Sequence, residues 1–126
     1  MKGKTNTPSA AFTLVEIMIV VAILGLLLAI VIPNYVRARA NAQSSTCINN
    51  MRKVEDAANQ FALETGKKTG DPITYPDDLI PYIKLNSAGS IPSCPAGGTY
   101  TVDNTGTKPD TTCSLGSTVN PVHIIP

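Results

Sequence analysis

The first third of the chain contains a long and almost uninterrupted apolar stretch. Phe12 to Ile32 holds 18 apolar residues out of 21, and the exceptions are Thr13, Glu16 and Gly25. About 20 residues of α-helix are needed to cross the hydrocarbon core of a bilayer. The stretch therefore predicts a membrane-spanning helix.

After Pro33 the hydrophobic pattern becomes one-sided. Apolar residues recur at spacings of three and four, while polar and charged residues occupy mostly the other faces. The apolar positions are Ala38, Ala42, Ile48, Met51, Val54, Ala58, Phe61 and Ala62. This spacing predicts an amphipathic helix that packs one face against a cover. Gly66 and the two lysines after it are typical of a helix C-terminus, so we expect one helix from about Phe12 to Thr65.

The remaining 61 residues carry the turn-forming residues, with eight of the ten prolines and seven of the nine glycines. Such a segment is too small to bury a large core alone. Alternation predicts a strand near Thr99–Val102, a turn at Asp103–Gly106 and an antiparallel partner within Thr111–Leu115, with a possible edge strand at Val122–Ile125. The expected fold class is α+β, with the long N-terminal helix packed against a small antiparallel β-sheet.

Composition excludes several classes of function. The chain has 126 residues, 15% of them charged, and a formal net charge of +1. This balance argues against a protein that binds nucleic acid through a basic surface, so no nucleic-acid partner is expected. His123 is the only histidine, and no nucleophile stands in a recognisable local signature, so we predict that the chain is not an enzyme.

Glu16 is unusual because it is a carboxylate within the apolar stretch. Such a group costs roughly 2.5–3.5 kcal/mol at the centre of a bilayer and therefore usually faces a partner. No basic residue of this chain lies one helical turn away. The alternative is that Glu16 marks the headgroup boundary and that the span runs only from Ile17 to Ile32.

The segment FTLVEIMIVVAILGLLLAIVIP, from Phe12 to Pro33, closely resembles the N-terminal segment of type IV pilins and type II secretion pseudopilins. The resemblance implies that a prepilin peptidase cleaves between Ala11 and Phe12 and that Phe12 is then N-methylated. It also implies that Glu16 pairs with the amino terminus of an adjacent subunit during assembly. This chain has Ala11 where the family usually has glycine before the cut, so the efficiency of processing is in question.

The resemblance further implies a pilin-like division of the chain. Residues 1–11 form the leader, 12–33 the transmembrane and assembly helix, 34–65 the amphipathic helix and 66–126 a small β and loop region. Gly25 and Pro33 match positions that weaken the helix in family subunits, although a close helix contact would explain Gly25 equally well.

A type IV pilus or secretion pseudopilus subunit implies a definite set of partners and a location. The partners are copies of the chain and other pilin-like subunits, prepilin peptidase, the inner-membrane assembly platform and the lipid bilayer. The subunit crosses the inner membrane once, with a periplasmic soluble domain, before it enters the filament. The alternatives are a secretory signal cleaved after Ala40 and a membrane-anchored or secreted binding module that forms no filament.

Three cysteines are an odd number for an oxidising compartment. Cys94 and Cys113 enclose the predicted hairpin and are the favoured disulfide, which leaves Cys47 as a buried thiol; a Cys47–Cys94 bridge is the alternative. Zinc binding by the three cysteines and His123 fits the composition, but no two of these residues have the close spacing of a zinc motif. We therefore expect no metal and no cofactor. Major pseudopilins often bind calcium, but the surroundings of Asp103 and Asp110 lack the pattern of such a loop.

Overall fold

The computed structural model describes Gly3, residues 10–103 and residues 111–126. The chain divides into an N-terminal unit, Met1–Arg37, and a C-terminal unit, Ala38–Pro126. Its elements are helix α1 (Leu14–Thr65), a short 3-10 helix (Asp77–Tyr82), strand β1 (Tyr100–Val102) and strand β2 (Thr111–Cys113).

Helix α1 begins and ends at residues suited to these positions. Its first turn is capped by Thr13, whose Oγ1 accepts a hydrogen bond from the backbone N–H of Glu16 at 3.2 Å. At the other end Gly66 has a φ of 66°, and the N–H of Lys67 bonds to the carbonyl of Ala62 at 3.0 Å. This is a Schellman motif, in which glycine supplies the left-handed conformation. The predicted C-terminus is therefore confirmed, and the helix begins two residues after Phe12.

In the N-terminal unit the apolar side chains of α1 are exposed. Phe12 is 79% exposed and Leu26 is 69% exposed, and the other large apolar side chains from Leu14 to Val36 are also exposed. This part of α1 is long and apolar enough to cross a membrane, and no part of its most apolar window is buried by the chain. Within the part of the chain that the structure describes, nothing covers this surface.

In the C-terminal unit one face of α1 forms the core. The helix contributes Val54, Ala57, Ala58 and Phe61, and these pack against Ile73, Leu79, Ile91 and Val102. Leu79 is fully buried and lies in the 3-10 helix between Pro76 and Pro81, which limit the length of a regular element there. The later part of the predicted apolar face, from Met51 to Phe61, therefore has the cover that its pattern requires, whereas Ala38 and Ala42 at its start are exposed.

Strands β1 and β2 form an antiparallel pair that confirms the α+β fold. Tyr100 pairs with Cys113, and Val102 with Thr111. These four side chains are buried, whereas the hydroxyls of Thr101 and Thr112 bond to each other at 2.8 Å on the exposed face. The predicted turn at Asp103–Gly106 lies, beyond Asp103, outside the described residues.

The predicted edge strand at Val122–Ile125 is wrong, because the described part of this segment forms no strand. Its backbone is held by separate hydrogen bonds instead of a ladder. The N–H of His123 donates to the carbonyl of Gly116 at 2.8 Å, and the carbonyl of Val122 accepts from Oγ of Ser44 at 2.7 Å. These bonds fix the C-terminal segment to a loop and to α1.

Candidate functional site

The residues of the predicted cleavage site lie immediately before α1. Ala11 and Phe12 have non-helical backbone and exposed side chains. A peptide bond in such a position is not protected by helical hydrogen bonds. The Ala11–Phe12 bond is thus accessible to another protein.

Thr13 and Glu16 have the T-x-x-E spacing of a capping box, and the half of the box that the structure shows is the bond from the backbone N–H of Glu16 to Oγ1 of Thr13. This pattern is a sequence signal for a helix cap at Thr13, which was not predicted. The side chain of Glu16 is exposed, and no ion pair involving it occurs within residues 10–103 or 111–126. Its charge is therefore available to a partner outside the chain.

Gly25 and Pro33 both lie inside α1, which continues through them. A Cβ added at Gly25 would have no atom within 4 Å, so no contact inside the chain requires glycine there. Pro33 has no N–H, so it leaves one helical hydrogen bond unmade. The reasons for both residues must therefore be sought in the membrane or in contacts with other molecules.

The C-terminal unit brings together four residues that are far apart in sequence. Cys47 lies on α1, Cys94 in the loop before β1, Cys113 on β2 and His123 in the C-terminal segment. All four are buried, and their potential ligand atoms lie within 4.8 Å of one another. Nδ1 of His123 is 3.3 Å from Sγ of Cys94. We call these four residues the thiol–imidazole cluster.

The three cysteines are free thiols in the structure. The predicted Cys94–Cys113 disulfide is therefore not formed there, and neither is the alternative Cys47–Cys94 bridge. The third sulfur and the imidazole of His123 converge with the expected pair on one buried point. The same four residues fit a zinc site by composition, but their spacing in the sequence gave no sign that they meet, and for that reason no metal was expected.

Backbone geometry explains how the loop that contains Cys94, before β1, approaches β2. The N–H of Gly97 donates to the carbonyl of Cys94 at 2.9 Å, and the φ of Gly97 is 90°, a conformation that glycine adopts without strain. The tight turn directs the next glycine toward β2. A Cβ added at Gly98 would lie 2.6 Å from Sγ of Cys113. The Gly97–Gly98 pair thus makes both the turn and the space for the third sulfur.

The pKa values of Cys47 and Cys94 are shifted in opposite directions. Burial raises the pKa of Cys47 to about 12, and the hydroxyl of Tyr100 offsets only part of that rise. Burial also acts to raise the pKa of Cys94, but the N–H groups of Ala96 and Gly98, with the neighbouring thiols, hold this pKa below its ordinary value. Backbone donors thus stabilise the charged form of Cys94 more than that of an ordinary cysteine.

Tyr100 adds a polar group beside the sulfurs. Its ring packs in a buried hydrophobic group that also contains Cys47 and Met51, and burial raises the pKa of its hydroxyl. The hydroxyl oxygen is buried and has no hydrogen-bond partner of normal geometry among the described residues. A buried donor without a partner is unusual in a folded protein.

Comparisons with known proteins match only part of the chain. The family model for the prokaryotic N-terminal methylation motif matches residues 7–32. The type IV major pilin protein PilA of Myxococcus xanthus is 41% identical over 62 residues, which are 49% of this chain and 28% of that protein. The type IV major pilin protein PilE1 of Neisseria gonorrhoeae is 40% identical over 62 residues, which are 49% of this chain and 38% of that protein.

A secretion-system protein is also similar. The type II secretion system core protein G of Pectobacterium carotovorum subsp. carotovorum is 29% identical over 65 residues, which are 52% of this chain and 42% of that protein. The chain thus spans less than half the length of these three relatives. No solved structure matches the chain significantly.

Proposed function

We propose that the chain is a member of the type IV pilin and type II secretion pseudopilin family and a structural subunit of a pilus or pseudopilus filament; the methylation motif at residues 7–32 and the similarity to pilins and a pseudopilin support this. The observation that carries the proposal is the exposed apolar part of α1 with one carboxylate, Glu16, at its start. Lipid covers these side chains before assembly, and the helices of neighbouring subunits cover them afterwards.

Maturation follows from the accessible bond before α1. Prepilin peptidase hydrolyses the Ala11–Phe12 amide with one water molecule, leaving a carboxylate on Ala11 and a free amine on Phe12. A methyl donor then transfers one methyl group to this amine in exchange for a proton. The product is a cationic secondary amine at the tip of an apolar helix.

Glu16 recognises this amine on a neighbouring subunit. An unpaired carboxylate in the apolar region costs up to about 3 kcal/mol, and a cation from the neighbour removes that cost. Because the pair forms only between subunits, it also favours one axial register of adjacent helices. Before assembly the subunit is anchored in the inner membrane, with the C-terminal unit in the periplasm. The assembly platform then moves the subunit into the filament.

Replacement of Glu16 by glutamine tests the proposal. Glutamine keeps the size of the side chain and the backbone N–H that bonds to Thr13, and it removes the charge. We expect Glu16→Gln to be cleaved at Phe12 and N-methylated, as measured by intact mass, but to enter filaments at a small fraction of the wild-type amount. Glu16→Asp, which keeps the charge, is the matched control and should retain more assembly.

Two outcomes would contradict the proposed function. Normal filaments made only of Glu16→Gln subunits would remove the pairing role. A wild-type protein that starts at Met1 or Asn41 would favour a membrane-anchored module or a cleaved secretory signal instead.

A further inference from the structure

We propose that Cys47, Cys94, Cys113 and His123 bind one zinc ion as a closed tetrahedral site. Three thiolates and one imidazole are a complete ligand set for structural zinc. With four protein ligands no position stays open for water or substrate, so the site stabilises the fold and performs no chemistry. This role is separate from the membrane segment and does not depend on filament assembly.

The distances agree with such a site. Zinc binds sulfur at about 2.3 Å and imidazole nitrogen at about 2.0–2.1 Å, so the edges of a tetrahedron between ligand atoms measure roughly 3.6–3.8 Å. The four ligand atoms lie within 4.8 Å of one another, so closure onto an ion requires movements of about 1 Å or less. The edge between Cys94 and His123 is already short, at 3.3 Å.

A disulfide does not account for this arrangement. A single bridge joins two sulfurs and leaves the third sulfur and the imidazole of His123 buried beside it without a function. The four groups come from α1, a loop, β2 and the C-terminal segment, and each element is anchored by its own contacts. One ion uses all four groups at once, which also explains the odd number of cysteines.

Groups around the cluster complete the environment of a metal-bound thiolate. The N–H groups of Ala96 and Gly98 point to Cys94, as donors do in zinc sites where backbone N–H groups stabilise a ligand sulfur. The hydroxyl of Tyr100 is buried in contact with the sulfurs and makes no hydrogen bond of normal geometry among the described residues, so a metal-bound thiolate of Cys47 would give it an acceptor. The orphaned donor is thus accounted for by the bound state.

Charge and access are also compatible with zinc. Binding to three thiols and a neutral imidazole releases three protons and leaves the site with a net charge of −1, which the surrounding donors stabilise. A cleft of about 520 Å³ is lined by Cys113 and His123 among other described residues and gives an ion a path to the cluster. Calcium and magnesium require oxygen ligands, so this sulfur-rich set selects a softer ion.

The site would link four separate segments of the small C-terminal unit at one point. Cys47 is on the core helix, whereas Cys113 belongs to a two-stranded sheet whose strands have three residues each. Small domains commonly depend on a metal or a disulfide for stability. Removing the ion should therefore loosen the sheet and the C-terminal segment from α1.

The test measures metal content and thiols on the full-length protein, purified in detergent without chelators. We expect about one zinc per chain and three thiols that react with iodoacetamide only after denaturation and chelation. His123→Ala should lose the metal, His123→Cys should recover it as a four-thiolate site, and Ile124→Ala, at an exposed neighbour, should keep it. Recovery by cysteine shows that His123→Ala fails through a lost ligand and not through misfolding.

Replacement of the native ion by cobalt gives an independent measurement. A tetrahedral site with three thiolates should give intense visible bands and a sulfur-to-cobalt charge-transfer band, both shifted in His123→Cys. A denatured wild-type protein with one reactive thiol per chain instead of three would contain a disulfide, and this result would overturn the proposal. Three free thiols that bind neither added zinc nor cobalt would also overturn it, and another stoichiometric metal in the native protein would overturn the choice of zinc.

Discussion

Gly98 and Cys113 lie so close that a Cβ added at Gly98 would be 2.6 Å from Sγ of Cys113. The φ of Gly98 is not in the left-handed region, so the requirement for glycine is one of space and not of backbone conformation. The side chain of Leu115 is also near, at 3.1 Å from the added Cβ. The space between the loop before β1 and strand β2 is thus too small for one additional methyl group at Gly98.

This contact predicts a specific effect of Gly98→Ala. The added methyl group must displace Cys113, so we expect a loss of bound zinc and a lower free energy of unfolding of the C-terminal unit. The measurements are metal content and near-ultraviolet circular dichroism during thermal unfolding. Gly97→Ala is the comparison. Its added Cβ would meet no atom within 4 Å, so this variant measures the cost of backbone strain at a φ of 90° without a clash with the sulfur. If both variants retained zinc, Gly98 would not be needed to clear space for the sulfur.

Tyr100→Phe separates the metal-free and zinc-bound states. Without metal the buried hydroxyl has no partner among the described residues, so its removal should leave the free energy of unfolding almost unchanged. With zinc bound the variant loses a donor to Cys47, and zinc affinity should fall about 10- to 100-fold. Competition with a chelator of known affinity measures this difference. Equal zinc affinity of the two proteins would show that the hydroxyl does not bond to the thiolate.

Thr13→Ala tests the start of α1. The substitution removes the oxygen that accepts the N–H of Glu16, and loss of such a cap costs about 1 kcal/mol of helix stability. We expect fewer helical residues at the N-terminus of the detergent-solubilised subunit, measured by amide hydrogen exchange. Thr13→Ser keeps the hydroxyl and should preserve protection. Equal exchange in the alanine and serine variants would mean that the cap does not stabilise this end.

Gly25 allows two explanations to be distinguished. Because its Cβ would meet nothing, Gly25→Ala should stabilise the isolated helix by about 1 kcal/mol without disturbing the fold. If the filament needs a helix that melts at this position, Gly25→Ala is enough to reduce filament yield. If it needs only a close helix contact, alanine is tolerated and Gly25→Leu is not. Filament yield and hydrogen exchange on all three proteins decide between these expectations.

Leu79 and Ile80 are adjacent residues with opposite exposure. Leu79 is fully buried against α1, whereas Ile80 is 38% exposed. Leu79→Ala should lower the free energy of unfolding by about 2–5 kcal/mol, because it removes apolar contacts and leaves a cavity. Ile80→Ala should cost less than about 1 kcal/mol. Urea unfolding of the two variants checks the difference, and similar losses would contradict the packing of the 3-10 helix.

Local patterns predicted much of the architecture. The end of α1 was predictable because Gly66 and the residues around it act on the last turn alone, and the antiparallel pairing was predictable because β1 and β2 alternate with period two. The edge strand at Val122–Ile125 was predicted wrongly, because an apolar segment can equally be held by single hydrogen bonds to Gly116 and Ser44. Nothing within the segment itself distinguishes these two arrangements.

The sequence by itself determined the division into an exposed apolar helix and an amphipathic helix, since helical period and turn residues are properties of neighbours along the chain. It also carried the family resemblance, which resides in one continuous segment. Only the tertiary structure decided which groups surround the cysteines. Cys47, Cys94, Cys113 and His123 have no common spacing, and they meet because the core aligns α1, the Gly97–Gly98 turn, β2 and the C-terminal segment around one point. Ligand geometry in space depends on packing between distant segments, and no local pattern encodes it.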